Sequence, residues 1–99
     1  MLALAKRLLV TADATKNKML LVGNMAKQVL AAKGVAVEFD IQLLSTVKAA
    51  EITQDLIILF GTSQKLVTSI PIVSGVSFLT RIGMEKAADE IIQKLNLKG

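Results

Sequence analysis

Asp13-Ala14-Thr15-Lys16-Asn17-Lys18 gathers a carboxylate, a hydroxyl, an amide and two ammonium groups into one short loop near the start of the chain. The apolar run Arg7-Leu8-Leu9-Val10 precedes it and reads as a buried strand within Lys6 to Ala12; a helical pattern follows from Met19 to Lys33. In an open parallel sheet, ligands bind just outside the carboxyl ends of the strands, where helix N-termini present free backbone N–H groups. This loop is therefore the first place to look for an active or anion-binding site. Its chemistry is narrowed by two absences, because none of the 99 residues is cysteine or histidine. Thiolate chemistry and disulfides are excluded outright, and no imidazole is present to act as a base.

The elements that must position the loop follow from periodicity. Asn17 is a good N-cap for the first helix, whose apolar stripe is Met19, Val22, Ala26, Val29 and Leu30. Lys33-Gly34 ends that helix, with Gly34 suited to the left-handed position after it. Val35, Val37, Phe39 and Ile41 alternate with Ala36, Glu38 and Asp40, which places a second strand at a sheet edge with one wet face. Ser45 to Thr53 reads as a short helix capped by Ser45, with Val47, Ala50 and Ile52 inward. Asp55-Leu56-Ile57-Ile58-Leu59-Phe60 does not alternate, the mark of a central strand covered on both faces.

Gly61-Thr62-Ser63-Gln64 closes that strand, Lys65 to Ser69 reads as a helical turn, and Ile70-Pro71-Ile72-Val73 as a fourth strand. Pro71 cannot donate to a ladder, so this strand also belongs at an edge. After the glycine-punctuated stretch Ser74 to Gly83, Met84, Ala87, Ala88, Ile91, Ile92 and Leu95 recur at helical spacing. Acidic residues (Glu85, Asp89, Glu90) lie nearer the start of this helix and Lys94 and Lys98 at its end, which suits the helix dipole. The expected fold is an α/β three-layer sandwich: one domain over residues 1–99, a four-stranded parallel sheet in order 2-1-3-4, and helices on both faces.

Composition sets the outer bounds. The chain is 53% hydrophobic with only three aromatics, so the core is aliphatic. No apolar run approaches the ~20 residues of a membrane span, and the first residues lack the order of a secretory signal, so direct membrane insertion is not expected and the chain is read as cytoplasmic. The net charge of +4 is spread, with no Tyr or Trp to stack bases, which argues against nucleic acid. No metal-ligand spacing, Walker loop or Gly-x-Gly-x-x-Gly is present, and no cofactor is expected.

The segment Ile70-Pro71-Ile72-Val73-Ser74-Gly75-Val76-Ser77-Phe78-Leu79-Thr80-Arg81-Ile82-Gly83-Met84-Glu85 resembles the C-terminal part of the galactitol-type IIB components of the bacterial phosphoenolpyruvate-dependent sugar phosphotransferase system. The resemblance is carried by Ile70, Pro71, Gly75, Phe78, Gly83 and Glu85, and extends more weakly through Asp55 to Ser63, Ile41-Gln42 and the first helix. It implies the same 2-1-3-4 sheet, and IIA and IIC components as partners. It also implies a reaction in which a cysteine directly after the first strand accepts a phosphoryl group from a histidine of IIA and passes it to a sugar bound in IIC. Counting back from Gly34, the cysteine position falls on Ala12, with Thr11 or Asp13 the result of a one-residue slip; none is a thiol.

Three readings of the loop follow. It is a solvated, helix-capping turn with no ligand. Alternatively, Lys16, Lys18 and the helix N-terminus hold phosphate or sulfate weakly, against the charge of Asp13. Least favoured is a substitute acceptor: Asp13 forming an acyl phosphate without the usual Mg²⁺-binding acidic cluster, or Thr11 or Thr15 without a base. Further crevice candidates are Thr62 and Ser63 after the third strand, and Ser74 and Gly75 after the fourth, with Phe78 beside them, read as core or partner contact ahead of a ligand stack. The function implied is a IIB-like domain unable to accept phosphate; a non-catalytic interaction module on the same scaffold, or a designed variant lacking Cys and His, are the alternatives. A fainter likeness to response-regulator receivers fails at Phe60-Gly61, where a receiver needs its aspartate.

Overall fold

The computed structural model describes residues 6–62 and 68–95. The apolar runs form four strands, β1 (Lys6–Ala12), β2 (Val37–Leu43), β3 (Leu56–Phe60) and β4 (Ile72–Ser74). All pair in parallel, in the order β2-β1-β3-β4. The burial logic of the sequence holds: β1 and β3 are central and nearly all their residues are buried, while β2 and the three-residue β4 form the edges.

Side chains alternate across the sheet, so each strand serves two layers. Leu8, Val10 and Ala12 of β1, with Leu56, Ile58 and Phe60 of β3, pack in one core with Met19, Val22, Ala26 and Leu30 of helix α1 (Lys16–Ala32). Helices α2 (Val76–Thr80) and α3 (Met84–Lys94) join that layer through Phe78, Ala88 and Ile91. Gly23 lets α1 sit close to β2, because a Cβ there would lie only 2.3–2.8 Å from the ring of Phe39. Gly34 takes the left-handed conformation (φ 82°) just after α1, as its place in the sequence predicts.

Leu9, Thr11 and Ile57 point to the other face and are also buried. The β2–β3 connection lies against that face. Gln42 Nε2 donates to the Thr46 carbonyl at 2.9 Å, and Gln54 Nε2 donates to Asp40 Oδ2 at 3.0 Å. Here the expected helix over Ser45 to Thr53 is replaced by two 3-10 turns, Leu44–Thr46 and Ala49–Glu51. Val47 (φ −78°, ψ 127°) and Ile52 (φ −74°, ψ 122°) are extended, as β-branched residues favour, and each ends a turn before it can grow.

Two other expectations are corrected. The stretch Ser74 to Gly83 contains α2, which ends at Arg81 in the left-handed conformation (φ 65°). The first helix begins at Lys16, and its cap is Thr15 rather than Asn17. Ser63 and most of the helical turn read over Lys65 to Ser69 lie outside the described residues. Among the described residues no helix is long and apolar enough to cross a membrane.

Candidate functional site

Parallel pairing brings the ends of β1, β3 and β4 to one rim: Ala12 is in register with Phe60, and Leu59 with Ser74. The loop after β1 meets the turn after β3 there. A Cβ built on Gly61 would lie 3.8 Å from Ala14 Cβ and 3.9 Å from Ala12 Cβ. The loop after β1 and the turn after β3 therefore meet at the carboxyl ends of the strands.

Ala12 ends β1 with its methyl fully buried in the α1-side core. Asp13 is exposed and Ala14 half-buried. Thr15 is extended (φ −72°, ψ 156°), and its Oγ1 accepts from the Lys18 N–H at 3.3 Å; its carbonyl accepts from the Met19 N–H at 3.1 Å, the first bond of the helix. Lys16, Asn17 and Lys18 thus form the exposed first turn, with two cations where the helix dipole favours anions. The N–H groups of Lys16 and Asn17 precede the helical ladder.

The hydroxyls are poorly placed for chemistry. Thr11 Oγ1 is buried on the opposite face with no hydrogen-bond partner, and Thr15 Oγ1 is engaged as a cap. Ser74 Oγ accepts from the Val76 N–H at 3.3 Å at the exposed end of β4. Thr62 is half-buried in the turn after β3, and Ser63 lies outside the described residues.

Gly75 is a packing residue. Its N–H donates to the Leu59 carbonyl at 2.9 Å, and a Cβ on it would lie 2.7 Å from Ile58 Cγ2 and 3.0 Å from Phe60 Cδ1. Phe78 takes the core place that its sequence reading favours and so leaves the crevice set. It is fully buried in the core, because the short α2 turns it inward against α1, and it cannot stack on a ligand. Among the described residues no group of three or more acidic side chains is arranged to hold a metal ion.

The perturbed titrations lie elsewhere. Hydrogen bonds from Arg7, and next from Gln54, hold the Asp40 carboxyl below its ordinary range, against a small opposing effect of burial. Lys27 does the same to Glu38, first by hydrogen bonding and then by its charge. Arg7 grips Asp40 with both Nε (2.7 Å) and an Nη (3.0 Å), while its backbone N–H donates to Asp55 Oδ2 at 2.9 Å. Sequence reading missed this hub. The available signal was parity, since the β1–β2 register puts Arg7 and Asp40 on one face of the sheet.

No protein-family model and no curated protein matches this chain. Among solved structures it is similar to the lactose-specific IIB component domain of the phosphoenolpyruvate:carbohydrate phosphotransferase system from Streptococcus pneumoniae. The TM-score is 0.61 at 17% identity, over 91% of this chain and 97% of that one. At that identity the likeness is one of architecture: the chain has the four-stranded parallel α/β fold of a IIB domain.

Proposed function

We propose that this chain is a IIB-like domain of a sugar phosphotransferase system that engages IIA and IIC components without relaying the phosphoryl group between them. The carrying observation is the buried methyl of Ala12 at the end of β1, where the resemblance places a cysteine. The threonines support it, because Thr11 Oγ1 is buried on the opposite face, Thr15 Oγ1 is engaged as the helix cap, and no histidine is present to act as a base. The fold shared with a IIB domain supports the scaffold, and the Ile70 to Glu85 spacing favours the galactitol type. Lys16, Lys18 and the free N–H groups of the first turn of α1 leave a weak seat for phosphate or sulfate, opposed by Asp13.

The test is phosphoryl transfer. Incubation with phosphoenolpyruvate, the upstream phosphocarriers and IIA should leave the intact mass of this chain unchanged while a cysteine-bearing IIB in the same mixture is labelled. A phosphoryl adduct refutes the proposal, and its acid and hydroxylamine lability separates Asp13 from Thr15 as the acceptor. Ala12→Cys alone should restore little transfer, since in-line attack needs acceptor and donors placed together and a misplacement of ~1 Å can cost ~100-fold. Efficient transfer by that variant would mean that only the nucleophile was lost.

A further inference from the structure

We propose that the free edge of β2 is a self-pairing surface, through which two copies of this chain join as antiparallel strands about a two-fold axis at Asp40. Among the described residues β2 is paired on one side only, to β1, so alternate N–H and C=O groups along its other side are directed away from the sheet. Its sequence, Val37-Glu38-Phe39-Asp40-Ile41-Gln42-Leu43, alternates apolar and polar, and the pattern is the same from either end. Turned about Asp40, Val37 falls opposite Leu43 of the second copy, Phe39 opposite Ile41, and Glu38 opposite Gln42. A two-fold axis perpendicular to the sheet keeps both apolar rows on the α1 side and both polar rows on the other. A slip of one residue would set apolar against polar, so the parity of the register is specified; the axis at Asp40 is the parity-allowed register that pairs all seven residues.

The edge also has surface left for such a partner. Leu43 is 47% exposed, and Phe39 and Ile41 are only half-buried. Charges on an edge strand ordinarily repel a second strand. Here each is already matched within the chain: Lys27 Nζ lies 2.9 Å from Glu38 Oε2, and Arg7 holds Asp40 through two hydrogen bonds. The two Asp40 carboxylates at the axis would therefore be flanked by two guanidinium groups. The opposite edge has no such character, since β4 is three residues long and follows Pro71.

This proposal is independent of any phosphotransferase role, and the absence of cysteine makes its register directly testable. Light scattering over a concentration series of the full chain should show a reversible dimer. Leu43→Lys should weaken it by about tenfold, because each dimer would cover the exposed Leu43 of both copies. Under mild oxidation, the double variant Glu38→Cys/Gln42→Cys should give a covalent dimer. Each single variant should not, because like positions would be offset by four residues, about 14 Å along the strand and beyond disulfide reach. A chain that stays monomeric at all concentrations overturns the proposal. So does a dimer that ignores Leu43→Lys, or one in which the double variant cross-links no better than the singles.

Discussion

Thr11 carries the one buried side-chain oxygen without a hydrogen-bond partner among the described residues. A hydroxyl left unpaired in the interior costs ~1–3 kcal/mol, and valine has nearly the same shape with a better fit to a strand. Thr11→Val is therefore expected to stabilise the protein by about 1 kcal/mol in urea denaturation. A loss of stability would mean that the hydroxyl has a role the fold does not reveal. The orientation of Thr11 was legible in the sequence, because parity with Ala12 puts the two on opposite faces. Its lack of a partner was not, since that depends on what the connections bring over it.

The cap of α1 separates two neighbouring residues of the same capping class. Thr15→Ala is expected to cost about 1 kcal/mol, and Asn17→Ala in the exposed first turn much less, by thermal or urea unfolding. The reverse order would restore Asn17 as the cap. Both residue types cap helices well, so local preference could not choose between them. Elsewhere, long elements were legible and short ones were not. α1 and α3 extend over enough residues to show a helical period, and β1 and β3 stand out as unbroken apolar runs. By contrast, α2 has five residues, and the stretch before β3 has apolar residues that stay half-buried at best. Of the candidate site, the rim followed from strand order, whereas the inward turn of Phe78 and the Arg7–Asp40–Gln54 hub depend on tertiary contacts.

At the scale of the molecule, that hub ties β1, β2 and the connection to β3 together. The folded state lowers the pKa of Asp40 below its unfolded value, so the stabilisation is complete above the unfolded pKa of ~3.9 and lost as pH falls through the folded one. Because the Asp40 side chain is 39% exposed, the contribution is held to under about 1 kcal/mol by solvent screening. Asp40→Asn should therefore be less stable than the parent near neutral pH, with the difference shrinking under acid. A difference that persists unchanged to low pH would point to packing rather than charge.

The connection from Leu44 to Asp55 contains no buried residue, yet it is the sole covalent link between β1-α1-β2 and everything after it. The two portions meet along the central seam of the sheet, where Leu8 to Ala12 run in register with Leu56 to Phe60. A cut near Lys48 would sever no core contact and would leave each portion with a bare inner strand that only the other can cover. Two separately expressed pieces divided there should therefore recombine into the native sheet, seen as recovery of native amide spectra on mixing. The domain would then serve as a pair of complementing fragments, and failure of the pieces to recognise each other would show that the connection does more than span.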